Sequence, residues 1–264
     1  MSSIYLFTCN NWCEVLAENK KYKERLVELK NLKLMILDMD GLMFETGQLS
    51  YRGYLAAAKE HDFEVTPNVY YYLTGRNDDD IRKEMKELYG KELPTNDWRD
   101  TVNKSKKEIL ASQKRVYKKK GLEELLNYAQ ASDIHVTIAS SSHRKTIEYY
   151  LEIEHLSHLI NTIVSGDEVT RSKPDSEIFL KACEKSGFNP NQAIVFEDSS
   201  VGIEAAKKAG IKTVLIEDDI TFLPNYDGKY KLKKDLTFIR EQMPRVDYKF
   251  KNLLEVKLLL SQIK

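Results

Sequence analysis

Apolar residues fall along this chain in two kinds of pattern. Five short continuous runs are rich in Ile, Val and Leu: Leu34–Leu37, Ile134–Ile138, Thr162–Val164, Ala193–Phe196 and Thr213–Ile216. Runs of that length without polar alternation suit strands buried on both faces, as in a parallel sheet. Segments with helical spacing lie between the last four. Thr146–Ser157 has apolar residues at Ile147, Tyr150, Leu151 and Ile153. Ser176–Gly187 has them at Ile178, Phe179 and Ala182, and Val201–Gly210 at Val201, Ile203, Ala205 and Ala206. Gly187 and Gly210 stand where helix C-caps belong. Alternating strand and helix predicts crossover units and an α/β fold.

One interval breaks the alternation. From Gly47 to Lys120 no buried strand is evident, and helical patterns run over Tyr51–His61, Asp79–Tyr89 and Asp97–Lys120. The expected organisation is therefore a core of residues 31–46 and 121–264 with a small helical domain, 47–120, inserted after the first strand. Residues 1–30 form an extension. Asn11–Leu29 reads either as a helix with a broken apolar stripe or as a leader. The charged stretch Glu217–Arg245 reads as loop, and Tyr248–Ile263 as a last strand and helix.

Composition narrows the class of protein. In 264 residues, 41 Lys+Arg balance 41 Asp+Glu. Zero net charge argues against binding nucleic acid through bulk charge. Neither a signal-peptide pattern nor the ~20 apolar residues of a membrane span is present. The three cysteines, Cys9, Cys13 and Cys183, make no disulfide framework, which points to a cytoplasmic protein. Cys9 and Cys13 lack the further ligands of a zinc set. No obligate protein partner is evident. Residues 47–120 hold 16 Lys+Arg and 12 Asp+Glu. Much of that excess, Lys114, Arg115, Lys118, Lys119 and Lys120, reads as a solvated helix face near the return to the core.

Four features sit at strand ends, where an open α/β sheet forms its ligand crevice. Asp38-Met39-Asp40-Gly41 follows the first run. One carboxylate can serve as nucleophile and its neighbour as proton donor and acceptor, while Gly41 permits a sharp turn. Read alone, the same residues also suit a solvated turn. Ser140-Ser141-Ser142 offers hydroxyls and N–H groups to an anion, or caps the next helix. Lys173, before Pro174, can meet a phosphate or simply lie on the surface. Glu197-Asp198 closes the fourth run with hard oxygen ligands suited to Mg²⁺, or caps the helix that follows.

Together and in this order, these features resemble the haloacid-dehalogenase-like superfamily of aspartate-nucleophile phosphotransferases, over about residues 31–217. Asp38 to Thr46 resembles its first motif. Ser140, Lys173 and Glu197-Asp198 fall on the second, third and fourth. Gly202-Ile203-Glu204-Ala205-Ala206 resembles the helix after the fourth motif in sugar-phosphate-type members. The resemblance implies a Rossmann-like core with a helical cap. It implies that Asp38 attacks phosphorus and that Asp40 serves the leaving group and then water. Ser140, Ser141 and Lys173 would bind phosphoryl oxygens. Asp38, the Asp40 carbonyl and Asp198 would hold Mg²⁺, with Glu197 beside them.

The implied reaction is hydrolysis of a small phosphorylated metabolite, a sugar phosphate in the first instance. The rival is a β-phosphoglucomutase-like phosphosugar mutase. Those mutases place a His twelve residues after the nucleophile, where this chain has Ser50. In the cap, Arg76 of Thr74-Gly75-Arg76-Asn77 is either a substrate contact or part of a solvated turn. Gln48 and Glu45 are further candidates for touching substrate. Tyr70-Tyr71-Tyr72 reads as packing, and His143 is the one His placed near the site.

Overall fold

The computed structural model describes residues 31–262. The first 30 residues, with Cys9, Cys13 and the candidate helix Asn11–Leu29, lie outside the described residues. Six parallel strands form one sheet: β1 (Leu34–Leu37), β2 (His135–Ser140), β3 (Thr162–Ser165), β4 (Ala193–Glu197), β5 (Lys212–Ile216) and β6 (Tyr248–Phe250). Their order is β3-β2-β1-β4-β5-β6. β1 is central, with Leu37 beside Ile138 of β2 on one side and Phe196 of β4 on the other. The order reverses at β1, so a crevice opens at the carboxyl ends of β1, β2 and β4.

The apolar runs are continuous because both sheet faces are covered. Met35, Leu37, Val136, Ile138, Ile194 and Phe196 share a core with helices α5 (Leu122–Ala131), α6 (Arg144–Ile153) and α9 (Leu253–Leu260). Leu34, Ile36, Ala139, Val164 and Val195 face the other way, onto α7 (Glu177–Ser186) and α8 (Ser200–Lys208). Gly187 caps α7 at φ +75°. No helix among the described residues is long and apolar enough to cross a membrane.

The insert is helical: α1 (Thr46–His61), α2 (Pro67–Leu73), α3 (Asp78–Tyr89) and α4 (Thr95–Gln113). Two expectations need correction here. The helix expected over Asp97–Lys120 stops at Gln113, because Lys114 turns left-handed at φ +52°. Residues 114–120 therefore present no solvated helix face. Arg115 reaches the buried Glu154 carboxylate, and Lys119 holds Glu45 at 3.0 Å and Asp218 at 2.5 Å.

The second correction concerns 217–245. Ile220 and Leu236 are buried in the cap's own apolar cluster with Tyr54, Phe63, Tyr89 and Trp98. Val65 exchanges backbone hydrogen bonds with Tyr226 in both directions, at 2.8 Å each. The segment leaves β5, lies across the cap and returns to β6.

Candidate active site

Asp38 follows β1 directly, and its amide donates to the Phe196 carbonyl at 3.0 Å, extending the β1–β4 pairing by one residue. This fixes the side chain at the floor of the crevice. Asp38 is buried, and its Oδ1 accepts from Lys173 Nζ at 2.5 Å. The same ammonium donates to Glu197 Oε1 at 2.6 Å and to the Ala139 carbonyl at 3.2 Å. Lys173 is 1% exposed, so its charge is desolvated and answered by two carboxylates. Burial pushes the Asp38 carboxyl up and Lys173 pulls it back, leaving it at about 7. Burial alone would lower the Lys173 ammonium, but Asp38 and Glu197 raise it above its ordinary value.

Glu197 is fully engaged by the protein. Its Oε2 accepts from the Asp198 and Ser199 amides at 3.1 Å and from Ser199 Oγ at 2.9 Å. It braces Lys173 and the turn into α8 in one stroke. A Cβ at Gly202 would overlap this carboxylate, which explains glycine in the first turn of α8.

Asp198 differs. Its Oδ1 is buried without a hydrogen-bond partner, an arrangement that costs about 1–3 kcal/mol or more unless something fills it. Burial, then Glu197 and Asp38, raise its carboxyl well above the ordinary range. Asp38, Glu197 and Asp198 each offer an oxygen, all within 4.8 Å of one another. Gly41, at φ +84°, passes so close that a Cβ there would overlap the Asp198 carboxylate. Three buried acids with an orphaned oxygen and one lysine fit a hard divalent cation.

Asp40 points into the crevice and accepts from Ser142 Oγ at 2.7 Å. The turn after Asp40 is tied by the Gly41 amide, which donates to Thr46 Oγ1 at 2.8 Å. Ser140 Oγ accepts from the Ser142 amide at 3.1 Å. Ser141 Oγ donates across to the cap, to the Gly75 carbonyl at 2.9 Å. With a bond from Ser172 Oγ to the Asp80 carboxylate, this closes the cap onto the core.

Between cap and core lies a cavity of about 850 Å³, lined by Asp38, Asp40, Ser140, Ser141, Ser142 and His143 from the core. From the cap it takes Ser50, Tyr54, Tyr70, Arg76, Arg99 and Lys106. A second depression, beside Lys33 and Gln192, lies at the opposite ends of β1 and β4 and holds no acid.

The expected core residues thus converge, while the cap candidates behave differently. Arg76 lines the cavity, but its guanidinium lies 3.5 Å from Glu84 and over the Tyr72 ring. Gln48 is not among the lining residues and donates to Glu45 at 3.5 Å. Of the three tyrosines, Tyr70 is buried in the cap cluster and donates to Asp218 at 3.0 Å. Sequence reasoning missed Asp218 and the role of Ser142 on Asp40. The signal for Asp218 was available: Glu217-Asp218 closes an apolar strand just as Glu197-Asp198 does.

With this geometry in hand, the relatives are informative. A phosphorylated carbohydrates phosphatase of Thermotoga maritima is 29% identical over 192 residues, covering 69% of this chain and 84% of the relative. A validoxylamine A 7'-phosphate phosphatase of Streptomyces hygroscopicus subsp. limoneus is 37% identical over 122 residues, covering 46% and 56%. The crystal structure of CbbY from Rhodobacter sphaeroides in complex with phosphate aligns with a TM-score of 0.63 at 18% identity, covering 85% of this chain and 96% of that one. At that identity the likeness is one of fold. The family model for haloacid dehalogenase-like hydrolases matches residues 35–216, the span from β1 to the end of β5. The chain belongs to that family of hydrolases.

Proposed function

We propose that the protein is a Mg²⁺-dependent phosphatase that hydrolyses a small phosphorylated carbohydrate through a phosphorylated Asp38. One observation carries this reading. Asp38 and Asp40 face the same cavity beneath the cap with different partners, a buried ammonium for one and a hydroxyl for the other. Two carboxylates in unlike surroundings can divide the work of nucleophile and proton carrier. The two phosphatase relatives named above support the substrate class.

Asp38 Oδ attacks phosphorus, forming an acyl phosphate as the bond to the leaving alkoxide breaks. Asp40 gives that alkoxide its proton, then takes one from the water that cleaves the acyl phosphate. Lys173 and the hydroxyl and amide groups at Ser140–Ser142 stabilise charge on the phosphoryl oxygens. Asp38, Asp198 and the Asp40 carbonyl would hold Mg²⁺, with Glu197 acting from behind through Lys173. The cation supplies positive charge that favours ionised Asp38 and the approach of an anionic substrate. The closed cap keeps other acceptors from the intermediate. Hydrolysis is favoured over mutase chemistry because Ser50 lines the cavity where related mutases carry a His.

The test is phosphate release from a panel of sugar and nucleoside monophosphates, with Mg²⁺ and with EDTA. Metal-dependent release that Asp38→Asn abolishes, and that Asp40→Asn lowers at least about 100-fold, supports the reading. Release from no substrate sinks it. Conversion of glucose 1-phosphate to glucose 6-phosphate under a bisphosphate activator would replace it with the mutase.

A further inference from the structure

Four stretches of chain join cap to core. Two are the linkers, which pair with each other: the Glu45 amide donates to the Tyr117 carbonyl and the Lys119 amide to the Met43 carbonyl, both at 2.9 Å. The other two are the ends of the strap, residues 217–247. Along its middle the strap is part of the cap. Tyr230 accepts from the Glu64 amide and donates to the Asp62 carbonyl, the Lys233 amide reaches the Leu88 carbonyl at 2.7 Å, and Tyr51 Oη donates to the Pro224 carbonyl at 2.9 Å.

At the root of the strap is a buried cluster that belongs to neither the nucleophile nor the phosphate site. Asp218 Oδ1 takes Lys119 Nζ, which also holds Glu45, so one ammonium bridges both linkers and the strap. Asp218 Oδ2 takes the phenol of Tyr70, a cap residue that lines the cavity. Space around Asp218 is tight on both sides. A Cβ at Gly47 would overlap Asp218 Oδ2, and one at Gly41 would come within 3.1 Å of it. Asp218 therefore lies between the turn that carries Asp40 and the cap helix that roofs the cavity.

We propose that Asp218 is a positioning residue: its bonds to Tyr70 and Lys119 latch the cap shut at the junction of linkers and strap. Swinging the cap open moves α2 relative to β5, and the Tyr70–Asp218 bond lies across that movement. The strap's middle travels with the cap, because its backbone pairs and apolar side chains are fixed there. Closure then depends on the strap root as well as on the linkers. Loss of the phenol leaves Asp218 with Lys119 as its remaining partner and lowers the fraction of closed protein that substrate meets, which raises KM more than it lowers kcat.

Tyr70→Phe removes the hydroxyl and keeps the ring in its packing. Amide hydrogen exchange without substrate should speed up about tenfold in the segments facing each other across the cleft, Thr74–Asn77 and Ser140–Thr146. The Val65, Tyr226 and Tyr230 amides should stay as protected as before. KM should rise about tenfold with kcat within about twofold. Asp218→Ala, which removes both bonds, should do the same, and Asp218→Asn, which keeps one acceptor oxygen, should restore part of the loss. Unchanged exchange and unchanged KM in Tyr70→Phe overturn the latch, even if its Tm falls. Exchange of the strap amides in step with the core strands while the cap stays protected also overturns it. Only the kinetic arm rests on the phosphatase reading; the exchange arm decides the latch even where no substrate is turned over.

Discussion

Replacing Lys173 by Met is the most demanding test of the electrostatics. Met keeps all but the last atom of the side chain's length and deletes the charge. In the native protein the ammonium lies 2.5 Å from Asp38 and 2.6 Å from Glu197, with all three side chains buried. At an effective dielectric of about 20 each contact is worth roughly 6 kcal/mol of gross attraction, most of which offsets desolvation. Removing one member of a buried ion pair costs about 3–5 kcal/mol. For a chain of this size that lowers Tm by about 6–20 °C at pH 7.

The sign with pH is specific. Burial already raises the folded-state pKa of Asp38 above its unfolded value, and without Lys173 the opposing pull is gone and the rise is larger. The folded variant then binds more protons than the unfolded one, so its stability falls as pH rises. The gap from wild type should be widest near pH 8 and shrink toward pH 5, read by thermal unfolding across that range. Equal Tm values at pH 8, or a gap that widens on acidification, would refute the buried triad as the organising charge.

Two further predictions follow from the same accounting of charge and space. Glu154 is buried, and although burial alone would raise its pKa, Arg115 and the Val116 and Tyr117 amides hold it below its ordinary value. Its contribution to stability is complete above about pH 5 and is lost as pH falls below about 4, so Glu154→Gln should flatten the acid limb of a urea-unfolding profile; an unchanged limb argues against this anchor. Gly202→Ala adds a Cβ that overlaps the Glu197 carboxylate, so kcat should drop about tenfold or more, while the roughly 1 kcal/mol gained in helix propensity limits any fall in Tm. Wild-type turnover in that variant would mean that Glu197 does not hold Lys173 in place.

How much was legible beforehand depends on whether a residue's partner is announced by position. Leu34–Leu37 and Ala193–Phe196 are recognisable because burial on both sheet faces removes polar alternation. Asp38, Lys173 and Asp198 are recognisable because strand ends gather at one rim. Ile220, Leu223, Tyr226, Tyr230, Leu232 and Leu236 offered no such cue. They are scattered among charges in a stretch broken by Pro224 and Gly228, so their spacing builds no helix or strand, and the surface they cover is made by residues 51–102. Lys119 looked like one more exposed lysine because Asp218 lies 99 positions away.

That long-range dependence also bears on how the polypeptide matures during synthesis. The four cap helices are finished in sequence by Gln113, yet their apolar cluster takes Ile220 and Leu236 from more than a hundred residues later. β1 is among the first elements made, yet the sheet it centres is completed only by β5 and β6, the last of which ends at Phe250. Neither half can complete its core while the last quarter of the chain is still in the ribosome. A nascent chain stopped before residue 220 leaves an aromatic cap surface uncovered, a ready target for chaperones or for aggregation. Completion of the strap and of the sheet is then a single late event, and cap and core should unfold together rather than as two separate domains.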